Sequence, residues 1–155
     1  ARLERVNAQL KNLYGPLFVL TKANDAVWRK FKEECWPSHG ADGYFGEDME
    51  VTEREKETWR IWMTAVFKPL NERIEQAILD NGDLLEDGEL EGKLQDLLSH
   101  IASYRATFER WERGDFSHHT ALLHYPSGLL SMVEKTYDDL RAEQQRLLGL
   151  EAPKG

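Results

Sequence analysis

Four long segments of this chain repeat apolar residues at steps of three and four, and this spacing constrains its fold more than any other feature. In an α-helix such steps place side chains on one face, which must be buried against neighbouring helices. The sequence therefore predicts an all-α fold, an antiparallel four-helix bundle that forms a single domain over 1–155. The expected helices run roughly over Leu3–Trp36, Glu53–Leu79, Glu89–Glu112 and Pro126–Leu148.

The expected helix boundaries are marked by residues that favour helix ends. Thr52, followed by Glu53 and Glu55, is typical of a helix start, because the acids lie near the positive end of the helix dipole. Gly114 can adopt the left-handed conformation that ends the third helix, and Pro126 suits the first turn of the fourth.

Two prolines, Pro16 and Pro69, lie inside helical patterns. Proline lacks the backbone N–H that a helix interior needs and clashes with the carbonyl four residues earlier. Each proline could break its segment into two helices, but the apolar pattern continues through both. We therefore predict that the first and second helices are continuous and kinked at these prolines.

Composition and charge exclude several classes of protein. A net charge of −8 and the absence of a basic patch argue against nucleic-acid binding. No apolar stretch is long enough to span a bilayer. A single cysteine, Cys35, favours a reducing compartment, so we expect a cytoplasmic protein. The chain starts at Ala1 rather than methionine, which is compatible with processing that removed a targeting segment.

One cluster of potential metal ligands lies in the predicted loop before the fourth helix. Its members are Asp115, His118, His119 and His124, and imidazole and carboxylate groups bind zinc and other divalent metals. Their spacing matches no established ligand pattern, so a polar loop with surface histidines is the alternative interpretation.

A second candidate site follows from the height of polar residues along the predicted bundle. At 1.5 Å per residue, antiparallel folding at the loops places both prolines and several polar side chains near one level. Such a level could hold a small-molecule pocket, since bundles bind ligands between their helices. The alternative is a dry core in which Asn24 specifies helix register. The residues predicted to line the pocket are Thr21, Asn24, Trp62, His100, Tyr104 and Tyr137.

Four short stretches carry a resemblance to a known group of proteins. They are Leu13-Tyr14-Gly15-Pro16-Leu17, Trp59-Arg60-Ile61-Trp62-Met63, Phe67-Lys68-Pro69-Leu70-Asn71 and Phe108-Glu109-Arg110-Trp111. Together they resemble a family of uncharacterised, predicted all-helical microbial proteins of about this length. The resemblance implies no activity, cofactor or site residue.

Two functional hypotheses remain open at this point. The first is a non-enzymatic helical module that self-associates or binds a protein partner through apolar residues off the main stripes, such as Phe18, Leu98 and Leu129. It is favoured by the absence of a catalytic signature. The second is a bundle that binds a small ligand or a metal, as a binding protein or as an enzyme, at the mid-bundle pocket or the histidine loop. The sequence identifies no cofactor.

Overall fold

A computed structural model describes residues 1–35, 50–86 and 88–151, and 82% of these residues are helical. They form four long helices, named α1 to α4, with a short 3₁₀ helix at Gly82–Leu84 and no strand in the described ranges. Trp36, the predicted end of the first helix, lies outside these ranges. α1 consists of Arg2–Gln9, Leu10–Tyr14 and Gly15–Cys35, α2 of Glu53–Trp62, Met63–Phe67 and Lys68–Asp80, α3 of Glu89–Glu112 and α4 of Leu129–Glu151.

The middle part of α1 and of α2 is a π-helical turn that ends two residues before a proline. After each turn a backbone N–H donates to the carbonyl five residues earlier, from Gly15 to Leu10 and from Lys68 to Met63. The hydrogen-bond ladder thus shifts beside the residue that cannot donate. Both helices continue through their prolines, so the alternative of a helix break is wrong.

The π-helical turn in α2 also changes which residues face the core. The sequence places Val66 and Leu70 on the apolar stripe, yet both are only partly buried, and Phe67 is buried instead. A π-helical turn contains more residues than an α-helical turn, so it rotates the following positions around the helix axis. The stripe of α2 therefore advances by three steps of four, from Trp59 through Met63 and Phe67 to Asn71.

The predicted helix starts and stops are confirmed in two places. The Thr52 side chain accepts a hydrogen bond from the Glu55 backbone, and the Glu55 side chain accepts one from Thr52, which forms a capping box. α3 covers the predicted Glu89–Glu112, and Gly114 follows it with φ of 79°. There the Asp115 N–H bonds the Arg110 carbonyl at 2.8 Å, as in a Schellman motif.

The predicted start of the fourth helix at Pro126 is wrong. α4 begins three residues later, at Leu129, because Gly128 has φ of 71°, in the left-handed region. The helix also continues past the predicted end at Leu148, to Glu151.

Two apolar clusters make up the core. The larger one joins the first half of α1 to parts of α2, α3 and α4 and includes Leu13, Ile74, Leu97 and Val133. The smaller one is aromatic and lies where the end of α1 meets α2 and α3. Its buried members are Phe31, Trp59, Met63, Phe67, Tyr104, Trp111 and Ala121.

Contacts between distant parts of the chain fix which ends of the helices meet. Arg2, at the start of α1, forms a bidentate pair with Glu143 near the end of α4, with both distances 2.8 Å. The buried Gln9 side chain donates to the Leu84 carbonyl, between α2 and α3. No helix within the described residues has the length and apolarity needed to cross a membrane.

Candidate ligand-binding cavity

A cavity of about 630 Å³, partly open to solvent, lies between α1, α2, α3 and the segment that precedes α4. This segment, residues 115–128, is called the covering segment below. All four helices and the covering segment supply parts of the wall. α1 contributes Thr21, Asn24, Asp25 and Trp28, α2 contributes Trp59, Met63, Phe67 and Asn71, α3 contributes His100 and Tyr104, the covering segment contributes residues 120, 121 and 123–128, and the first turn of α4 contributes Leu129, Leu130 and Ser131.

Aromatic rings form much of the apolar wall. The rings of Trp28 and Trp59 meet edge to face, with centroids 6.0 Å apart, and Trp28 meets Phe67 in the same way at 5.6 Å. Such pairs are preferred over face-to-face stacking because of the ring quadrupole. The rings therefore support each other through edge contacts at this side of the cavity.

Side chains of α2 and α3 hold the covering segment by its backbone carbonyls. Trp59 Nε1 donates to the His119 carbonyl at 2.7 Å, and the Tyr104 hydroxyl donates to the same oxygen at 3.0 Å. Two further donors, Thr107 Oγ1 and Trp111 Nε1, bond the carbonyls of Thr120 and His118. These bonds position the covering segment without a strand or helix of its own.

His100 joins α3 to the covering segment at the cavity wall. Its Nδ1 lies 2.6 Å from the Leu123 carbonyl, and its ring meets Tyr104 and Tyr125 edge to face. Because a carbonyl only accepts, Nδ1 carries the proton in this contact, and Nε2 of the neutral ring is an acceptor. Burial lowers the pKa of His100, which favours the neutral ring near pH 7.

Two asparagines on the wall have unused hydrogen-bonding capacity. The Oδ1 atoms of Asn24 and Asn71 are buried and have no hydrogen-bond partner within the described part of the chain. Burial, with the Asp25 carboxylate nearby, raises the pKa of Tyr125 to about 12, and the neighbouring Asn24 side chain opposes part of this rise.

Four of the six residues predicted to line a pocket lie at this cavity, namely Thr21, Asn24, His100 and Tyr104. The other two lie elsewhere. Trp62 packs against Phe31, with ring centroids 5.4 Å apart, and Tyr137 stacks on Phe18 at 4.8 Å. Ligand binding by the predicted set stays a prediction.

Sequence reasoning missed several wall residues, including Trp28, Asn71, Ala121 and Tyr125. Asn71 could have been predicted from the sequence, because it is the polar residue in the α2 stripe when the stripe advances in steps of four. The covering segment could not, because its position depends on side chains of α2 and α3 that are distant in sequence.

The residues of the predicted metal site have other contacts. The Asp115 carboxylate accepts hydrogen bonds from the Ser117 backbone and hydroxyl, which lower its pKa. Arg110 Nη1 lies within hydrogen-bond distance of both ring nitrogens of His118, and since a guanidinium only donates, the imidazole is the acceptor in this contact. His124 lies at the cavity wall, while His119 bonds Trp59 through its carbonyl.

Among the described residues, no group of three or more His, Cys, Asp or Glu side chains is placed to hold a metal ion. The metal site at Asp115, His118, His119 and His124 stays a prediction.

The apolar residues expected to form an interface are packed within the chain. Phe18 and Leu98 are partly buried against the larger cluster, and Leu129 is only 2% exposed. The exposed large apolar side chains include Leu122 and Leu123 of the covering segment. The surface that motivated the self-association hypothesis is therefore largely covered.

Comparisons of the chain with protein-family models, with curated proteins and with solved structures found no match. The function must therefore be argued from the cavity and its chemistry.

Proposed function

We propose that this protein binds a small organic molecule in the cavity between α1, α2, α3 and the covering segment. The observation that carries the proposal is the cavity itself. Its volume of about 630 Å³ lies in the range of roughly 300–1,000 Å³ that small-molecule sites occupy, and aromatic side chains form much of its wall.

Packing favours a ligand over an empty space. Protein interiors are close-packed, and voids larger than a water molecule are few. A bound molecule that fills the space would contact aromatic side chains of the wall, among them Trp28 and Trp59.

The proposed architecture around the site is an antiparallel four-helix bundle whose first two helices bend at Pro16 and Pro69. The antiparallel order of α1 and α4 is supported by the Arg2–Glu143 pair, which joins the start of one to the end of the other. Bends are supported by the π-helical turns, which accompany helix distortion in many proteins. Bends at the level of these two prolines would widen the gap between the helices where the cavity lies.

The test is a fragment screen monitored by two-dimensional ¹⁵N–¹H NMR. The chain has five tryptophans, and their indole N–H signals report on different places. We expect binding fragments to shift the signals of Trp28 and Trp59, which line the cavity, and to leave Trp111, outside it, unshifted. If a library of several hundred fragments shifts neither lining residue, the proposal is wrong.

A cavity-filling variant locates the binding. Ala121 is buried at the wall, so Ala121→Phe should occupy part of the space and weaken fragment binding at least tenfold. Ala142→Phe adds the same ring on the exposed face of α4 and should leave binding unchanged. Equal affinity in both variants would place the binding outside this cavity. Native mass spectrometry of the same samples would report retained ligands and oligomeric mass together.

A further inference from the structure

The polar side chains that the first three helices place at the cavity are already engaged within the protein. Thr21 Oγ1 donates to a backbone carbonyl of its own helix at 2.7 Å, and the Tyr104 hydroxyl donates to the covering segment at 3.0 Å. His100 Nδ1 bonds the covering segment as well. The amide oxygens of Asn24 and Asn71 are enclosed by protein atoms, so a molecule in the cavity does not reach them. These helices therefore leave few polar groups for a ligand.

The wall also offers no free counter-charge. Asp25 is the only Asp, Glu, Lys or Arg among the lining residues in the described ranges. Its carboxylate pairs with Arg29, one turn along α1, at 2.6 Å. A charged ligand would lose part of its hydration in this site without gaining an unpaired opposite charge, which is costly. The cavity therefore disfavours anions and cations alike.

The buried part of the wall is apolar. Met63, Phe67, Ala121 and Leu129 line the cavity, and none of these side chains is more than 7% exposed. They belong to α2, the covering segment and α4, so apolar groups of several elements surround the same space. Apolar surface that a ligand removes from water here contributes roughly 25 cal/mol for each Å².

Polar lining residues that remain exposed lie along the covering segment and the first turn of α4. They are Thr120, His124, Ser127 and Ser131. The cavity is partly open, and lining residues that are also exposed to solvent lie at its opening. A small polar group on a ligand can stay hydrated there while the rest of the molecule is buried.

We infer that the ligand is an uncharged hydrophobic molecule, with no polar group larger than a hydroxyl, held mainly by apolar contact. This inference rests on the proposed function and specifies its ligand class. Trp28 and Phe67, whose rings meet edge to face with centroids 5.6 Å apart, supply the aromatic part of that contact. Burial of apolar surface is non-directional, so affinity requires no hydrogen bond aimed at the ligand.

Three molecules of nearly identical shape test the absence of charge. They are 4-butylbenzyl alcohol, 4-butylbenzylamine and 4-butylbenzoate, which at pH 7.5 are neutral, cationic and anionic. We expect the alcohol to bind with a Kd at least tenfold lower than that of either charged molecule, because only the charged groups lose strong hydration. Calorimetry and shifts of the Trp59 indole signal measure the three values.

A series of alkyl groups tests the apolar contact. From 4-methylbenzyl alcohol through 4-ethylbenzyl alcohol to 4-butylbenzyl alcohol, the polar end stays the same while the buried area grows. We expect the Kd to fall about threefold to fourfold for each added methylene. An affinity that does not change along the series would show that apolar burial does not hold the ligand.

A matched pair of variants assigns the contact to the cavity wall. Trp28 and Trp62 are both partly buried against the aromatic cluster, but only Trp28 lines the cavity. Trp28→Leu should weaken binding of 4-butylbenzyl alcohol at least fivefold, whereas Trp62→Leu should change it less than twofold. Unchanged helical circular dichroism would show that each variant is folded. Equal weakening in both variants would contradict a contact with the Trp28 ring.

The outcomes separate this inference from the proposed function. If the amine or the benzoate binds as tightly as the alcohol and shifts the Trp59 signal, the ligand class is wrong while the cavity remains a binding site. If none of the three binds but charged fragments of the library shift the lining residues, the ligand class is again wrong. If no fragment of any kind shifts them, both proposals fail.

Discussion

Tyr104 shows how one side chain of α3 serves the cavity and the covering segment together. Its ring lines the cavity, and its hydroxyl donates to the His119 carbonyl at 3.0 Å. Burial raises the pKa of this phenol well above its usual range, so the hydroxyl stays a donor at all working pH values.

Removal of that hydroxyl should therefore destabilise the fold. We expect Tyr104→Phe to lower the free energy of unfolding by about 1 kcal/mol, the usual cost of one such hydrogen bond. Tyr137→Phe is the control, because the Tyr137 hydroxyl accepts a bond from Arg141 at the surface. Its effect should stay within about 0.5 kcal/mol in urea unfolding. Equal effects would show that the covering segment does not depend on this bond.

Two histidines should make the protein sensitive to mild acid. Burial lowers the pKa of His100, with His124 adding to the effect, and burial lowers that of His119, with Lys56 and Arg60 nearby. The unfolded chain therefore binds protons before the folded one, so stability rises with pH in this range. We expect the free energy of unfolding to fall as the pH drops below about 6.5, the ordinary histidine value.

Urea titrations at pH 7.5 and 5.5 check this dependence. His100→Gln keeps a donor for the Leu123 carbonyl but cannot titrate, so its loss of stability between the two pH values should be smaller. If His100→Gln loses as much stability between the two pH values as the parent protein, His100 does not cause the pH dependence.

At the scale of the helix, the two π-helical turns are the main departures from regular geometry. They accompany α1 and α2 as these continue through a proline, and the α2 turn brings its last residue, Phe67, to the core rather than Val66. In α1 the residue after the turn is Gly15, and a Cβ added there would lie 2.2 Å from the Leu10 carbonyl oxygen. In α2 the equivalent position is Lys68, which already carries a Cβ. The close approach of a Cβ to the backbone is therefore a feature of the α1 turn.

Two glycine substitutions test the geometry of that turn. Gly15→Ala should lower the free energy of unfolding by about 1–3 kcal/mol, because a backbone atom must move. Gly92→Ala, in α3, meets nothing within 4 Å, and should raise it by about 0.5–1 kcal/mol, the usual gain in a helix interior. Thermal unfolding measures both. If Gly15→Ala is as stable as Gly92→Ala, the π-helical turn does not restrict position 15 to glycine.

On the scale of the whole molecule, the two apolar clusters have different tasks. The larger cluster packs α1, α2, α3 and α4 against each other, whereas the aromatic cluster forms part of the cavity wall. A ligand in this space would add contacts to α1, α2 and α3 at once. Binding should therefore be visible in global stability as well as in local signals.

Saturation with a bound molecule should raise the melting temperature. A ligand at 100 times its Kd stabilises the folded state by about 2.7 kcal/mol, which corresponds to roughly 5–10 °C for a chain of this size. We expect a fragment that binds in the cavity to produce a rise of this order in differential scanning fluorimetry and to produce little in Ala121→Phe. A similar rise in that variant would mean that the stabilising site lies elsewhere.

Local sequence determined the parts of this protein that depend on neighbouring residues. The bounds of α3 follow from an unbroken apolar stripe with a glycine behind it, and the start of α2 follows from the Thr52 capping box. The presence of four helices follows in the same way, because amphipathic spacing within one segment decides it. The rise per residue also allowed polar residues such as Asn24 and His100 to be assigned to the same height along the bundle.

Only the tertiary structure decided the rest. Apolar spacing did not reveal the rotation of α2 by its π-helical turn or the left-handed Gly128 that delays α4. The hold of Trp59 on the covering segment depends on contacts between residues that are distant in sequence. Their energies come from the packing of one element against another, which spacing along the chain does not record. The cavity is a space between such elements, so its volume and its wall exist only once they are assembled.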